Sequence, residues 1–116
     1  MEERRKHKRY RMLDSACIIN HATTVGNILD ISDGGFSCMC LDQGDCREGL
    51  VTKINIYCNK IDLRAEDIDI EVLSTGTFPG RFLEDLGLRK CRARFGPLDE
   101  AQRAMVKQIM EIGPEA

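Results

Sequence analysis

Tryptophan is absent, and two Tyr and four Phe are the only aromatic residues in the 116-residue chain. Barrels that bind nucleic acid stack bases on exposed aromatics. Here Tyr10, Phe36, Tyr57, Phe78, Phe82 and Phe95 fall largely in strand-like segments, where core packing is their natural use. Long apolar runs are also missing. Ala16-Cys17-Ile18-Ile19 is as long as any, against the roughly 18 residues a membrane span requires. The N-terminus is basic, but no apolar stretch follows it as in a secretory signal. A cytoplasmic chain with no membrane insertion is therefore expected. No Cys-x-x-Cys pair occurs among Cys17, Cys38, Cys40, Cys46, Cys58 and Cys91, and His7 and His21 stand far from any cysteine pair. A zinc set is not legible, and a reducing compartment disfavours disulfides. Cys38-x-Cys40 directs both thiols to one face of a strand, which suits small core residues. Neither a metal nor a cofactor is expected.

What is present is an ordinary soluble composition, 42% hydrophobic and 31% charged, in a length suited to one domain. Such a chain buries about two-thirds of its unfolded surface and needs no staple to fold. Its charge is unevenly spread. Arg4, Arg5, Lys6, Lys8, Arg9 and Arg11 lie in the first eleven residues with only Glu2 and Glu3 against them, a segment charge of +4. Eleven basic and seventeen acidic residues remain, so the rest of the chain carries −6. A basic head on an acidic body suits the handling of an anion, whereas the body would repel a long polyanion.

Short β-type segments follow one another. Ser15–Asn20, Thr23–Ile31 and Phe36–Leu41 read as strands, the last two separated by the turn signal Asp33-Gly34-Gly35. Val51–Cys58 alternates, Asn59-Lys60 reads as a turn, and Ile61–Leu63 begins another strand. Ile68, Ile70 and Val72 alternate with Asp69 and Glu71, the period of a half-buried antiparallel strand. Thr75–Gly80 reads as a loop and Gly87–Phe95 as the last strand. Asp99 with Gln102 forms a capping-box pattern. Ala101, Met105, Ile109 and Ile112 form an apolar helical face that Gly113-Pro114 ends. With no βαβ alternation, the pattern predicts a small antiparallel barrel with one terminal helix.

Two constellations carry chemistry. Arg5 and Arg9 stand at Arg-x-x-x-Arg spacing. A guanidinium fork matches phosphate oxygens or the O6/N7 edge of guanine bidentately. Asp30, Ser32 and Gly35 stand at Asp-x-Ser-x-x-Gly spacing. The first two project to one face of a strand end, where a carboxylate can accept from the N1–H and N2–H of guanine. Gly35 permits a positive φ or the close approach of a ligand. A plain hairpin turn, with Asp and Ser bonding their own backbone, would use the same residues.

In this order, the two motifs resemble the PilZ domain family, with none of the five positions substituted. The resemblance covers nearly the whole chain. Glu3-Arg4-Arg5, Tyr10 and the run Arg92–Leu98 fit its surroundings. It implies a mainly β fold, a small six-stranded antiparallel split β-barrel with a C-terminal α-helix. The expected division is a flexible basic segment over 1–14, a barrel over 15–97 and a helix over 98–112. It also implies a cyclic di-GMP receptor or adaptor that is not an enzyme. Arg5 and Arg9 would take phosphates and guanine edges, Asp30 and Ser32 would hold a guanine, and Gly35 would shape the turn. Arg4, and then Lys8 and Arg11, would add contacts. The expected partners are cyclic di-GMP and an unidentified effector protein, with no nucleic acid. The alternative is a PilZ-like protein-interaction module that works without nucleotide.

Overall fold

Residues 10–11, 17–21, 24–41, 47–77 and 88–112 are described in the computed structural model. Their elements run β1 (Tyr10–Arg11), β2 (Cys17–His21), β3 (Thr24–Ile31), β4 (Gly35–Leu41), β5 (Val51–Cys58), β6 (Leu63–Thr77), β7 (Leu88–Phe95) and α1 (Glu100–Glu111). The strands form one antiparallel sheet in the order β1-β3-β2-β5-β6-β7-β4, with β3 also pairing β4. A strand bonded to β2 on one side and β4 on the other makes the sheet curl back on itself. The result is a mainly β, antiparallel architecture with a C-terminal helix.

The count differs from the expected six strands. Tyr10-Arg11 is too short to show a period, yet it pairs with Ile31 and Asp30 as a seventh strand, inside the segment expected to be flexible. The two segments expected around Ile61–Leu63 and Ile68–Val72 are one strand of 15 residues that runs on into the expected loop, to Thr77. Ile61 instead closes a short 3-10 turn, Asn59–Ile61, after which Asp62 adopts φ 50°. Within β6 the alternation is broken by a bulge, where Glu66 and Asp67 oppose Asn55 alone. Asp67 takes φ 55°, and its N–H donates to Asn55 Oδ1 at 3.0 Å. The bulge lets Ala65 and Ile68, three residues apart, both reach the core at 0% exposure.

The core is built from Ile28, Ile31, Phe36, Ile54, Ile56, Ile68 and Ile70 with small thiols between them. Helix α1 starts at a complete capping box, Asp99 accepting from the Gln102 backbone and Gln102 from that of Asp99. The Gln102 side chain also donates to the carbonyls of Glu66 and Asp67, tying the helix to the β6 bulge. Its buried face is Val106, Ile109 and Met110. Met105 and Ile112 flank that face, while Ala101, expected on it, is exposed. The buried face lies about one residue round from the Ala101, Met105, Ile109, Ile112 pattern, because Val106 and Met110 are the side chains that meet the sheet.

Candidate functional site

A second bulge sets the site. Ile28 pairs with Cys38 and Asp30 with Ser37, so Leu29 is an extra residue on β3. Strict alternation would send Asp30 to the same side as Ile28, into the core. With Leu29 inserted, Ile28 and Ile31 point inward at 1% and 0% exposure, while Asp30 and Ser32 stand half-buried on the outer surface.

Asp30 Oδ2 accepts from Ser37 Oγ at 2.7 Å. Ser37 itself is only 2% exposed, the one buried polar residue among those described. No motif pointed to it, since its link to Asp30 is made by strand pairing. The Ser32 hydroxyl takes part in the turn, accepting from Gly34 N and donating to the Gly35 carbonyl, both at 3.3 Å. For Ser32 the local-turn use of the motif is therefore present. For Asp30 it is not, because its partner lies across the hairpin.

Gly35 has a different reason from the two expected. Among described glycines only Gly49 has a positive φ. A Cβ on Gly35 would instead collide with the backbone of Ala93 and Arg94. The residue is small because β7 crosses it closely, and the Phe95 amide bonds Gly34 O at 2.9 Å beside this crossing.

Arg4, Arg5, Arg9 and Lys8 lie outside the described residues. The chain that carries them enters the described structure at Tyr10, which pairs with Ile31, and Arg11 pairs with Asp30. The basic run thus leads directly to the strand holding Asp30. Tyr10 also lines a cleft of about 690 Å³ with Asp33, Gly34, Phe95, Arg103, Lys107 and Met110, between the motif turn and α1.

One group of metal-capable side chains comes together among the described residues. The sulfur atoms of Cys38, Cys40 and Cys91 lie within 4.8 Å of one another, with Cys40 and Cys91 at 3.2 Å. Cys91 was not legible as a neighbour of Cys38-x-Cys40, because it arrives from β7. All three are buried in the apolar core, on the face of β4 opposite Ser37 and away from Asp30. No described helix is long and apolar enough to cross a membrane.

The curled antiparallel sheet, its motif turn and its terminal helix have the architecture of a PilZ domain. Among solved structures, MrkH of K. pneumonia in complex with c-di-GMP superposes with a TM-score of 0.75 at 16% identity, over 96% of this chain and 52% of MrkH. The PilZ domain of Escherichia coli YcgR with c-di-GMP gives 0.70 at 15% identity, over 95% of this chain and 91% of that domain. A longer YcgR structure with c-di-GMP gives 0.70 at 13%, with 46% of its chain covered. This chain spans about half of MrkH and of the longer YcgR chain. No protein-family model matches the sequence, and no curated protein matches it either.

Proposed function

We propose that this chain is a cyclic di-GMP receptor. The observation that carries the reading is the outward turn of Asp30 and Ser32 by the Leu29 bulge, against the strand into which the basic run feeds. Fold-sharing structures bound to c-di-GMP support it. In this reading Asp30 accepts from the N1–H and N2–H edge of a guanine. The Ser37 hydroxyl occupies one carboxylate oxygen and fixes the other toward the ligand. Ser32 and Gly35 set the turn beneath the guanine. Arg5 and Arg9 clasp phosphate oxygens and the guanine O6/N7 edge, with Arg4 beside them. Strands β2 to β7, closed through the β3–β4 pairing, act as the six-stranded barrel of the family, with β1 as the lead-in from the basic head.

Binding neutralises the +4 head and draws it onto the Asp30 surface, changing what a protein partner meets. The chain works as a receptor or adaptor, without catalysis or cofactor. MrkH is described as a c-di-GMP-dependent transcription regulatory factor. Here the net −6 outside the head argues for a protein effector over nucleic acid.

Calorimetric titration of cyclic di-GMP into the wild type and into Arg5→Ala, Arg9→Ala and Asp30→Ala tests the reading. Each substitution removes one side of a charge-assisted contact, about 2 kcal/mol or more, and is expected to weaken binding about thirty-fold or more. No binding by the wild type would leave a nucleotide-independent interaction module.

A further inference from the structure

Asp30, Ser37, Arg92 and Ser74 form a single row across β3, β4, β7 and β6, since Asp30 pairs with Ser37, Ser37 with Arg92 and Arg92 with Ser74. Residues directly opposite across an antiparallel ladder share a face. The neighbouring row, Ile31, Phe36 and Ala93, is buried in the core, so the row of Arg92 faces outward with Asp30. Arg92 is exposed. Two other cations of the sheet surface are neutralised, Arg94 by Glu71 and Lys53 by Asp69, while Lys90, two residues along β7 on the same face, pairs with Met39 and Gly76 one row further from Ser37. Arg92 has no ion pair among the described residues, and the side chains paired with it are serines. Two strand spacings, about 10 Å, separate it from Asp30.

Its position relative to the basic run decides its use. β1 lies against one edge of β3, whereas Arg92 lies beyond the other edge, across β4. β1, into which the head feeds, thus lies on one side of Asp30, and Arg92 stands on the opposite side. A cyclic dinucleotide carries two phosphodiesters on opposite sides of its ring. We propose that Arg92 is a ligand-binding residue that holds the phosphodiester remote from the basic head while Asp30 holds a guanine between them. The inference rests on the receptor reading above. It adds a contact that neither motif contains, in a residue type whose planar fork fits two phosphate oxygens.

The test is titration of cyclic di-GMP into the wild type, Arg92→Ala, Arg92→Gln, Arg92→Lys, Arg94→Ala and Asp30→Ala, with thermal melting of each. Arg92→Ala and Arg92→Gln are expected to weaken binding tenfold or more at unchanged melting temperature. Arg92→Lys should recover part of the loss, and Arg94→Ala should stay within twofold of the wild type. Binding by both Arg92→Ala and Arg92→Gln within twofold of the wild type, with Asp30→Ala still defective, would overturn this inference and leave the receptor reading standing. Absence of wild-type binding would overturn both.

Discussion

The inner and outer faces of β3, β4 and β7 are made by alternate residues of the same strands, yet they answer to different demands. Inward stand Ile28, Ile31, Phe36, Cys38, Cys40, Cys91 and Ala93, all 6% exposed or less and all apolar or sulfur. Outward stand Asp30, Ser32, Ser37, Lys90, Arg92 and Arg94. The first group holds the sheet by volume, which non-directional burial rewards. The second aims donors and acceptors, and most of it contributes little to stability. Stability and recognition can thus be changed separately on this sheet, except where one residue serves both.

Ile31→Ala makes the largest break. Ile31 is fully buried beside Asp30, and truncating such a side chain costs about 2–5 kcal/mol through lost burial and the cavity left behind. Urea unfolding should show that loss, while the folded fraction binds cyclic di-GMP within a few-fold of the wild type. A loss of affinity without a loss of stability would contradict the division between faces.

Ser37→Ala probes the place where the two demands meet. Its hydroxyl is buried and donates to a half-buried carboxylate, so its removal should destabilise by about 1–2 kcal/mol. It should also lower nucleotide affinity several-fold, because Asp30 loses its orientation. Unfolding and calorimetry on the same preparation separate the two effects, and a change in only one would assign Ser37 to a single face.

The smallest effect lies at Lys53, on β5, outside the motif hairpin. Its hydrogen bond with Asp69, at 2.9 Å, raises its pKa above the ordinary lysine value, and the charges of Asp69 and Asp67 add to this. A raised pKa means that the pair stabilises the fold below the unfolded-state value and fades as pH rises through the folded one. Both side chains are largely exposed, so solvent screens the pair. The urea midpoints of Lys53→Ala and wild type should differ only slightly at pH 7, and that small difference should vanish as pH rises through the folded-state pKa of Lys53. A clear gap at neutral pH would make this outer pair part of the stabilising framework.

Local signals were the ones that could be read in advance. The capping box, the alternation of Val51–Cys58 and the Asp33-Gly34-Gly35 turn each depend on residues within a few positions, and each appears in the fold. Asp30 and Ser32 were legible through a spaced motif. Ser37 and Arg92 were not, because register between strands selects them and no local pattern encodes register. The Leu29 and Glu66-Asp67 bulges escaped for the same reason, as an inserted residue looks like any other until the opposing strand is known. The close crossing at Gly35 is not encoded locally, because the strand that crowds it lies almost sixty residues downstream.

The pairing pattern also has a consequence for the order of folding. Asp30 and Ser37 are seven residues apart and meet within one hairpin. Cys40 and Cys91, which mark the docking of β7 onto β4, are 51 residues apart. Closing the longer loop carries more chain entropy, and distant contacts slow folding. The hairpin can therefore form early, while its backing arrives with the final strand. A nascent or partly folded chain would display the motif turn without the β7 surface beside it, so the outward row Asp30, Ser37 and Arg92 is complete only after this late step.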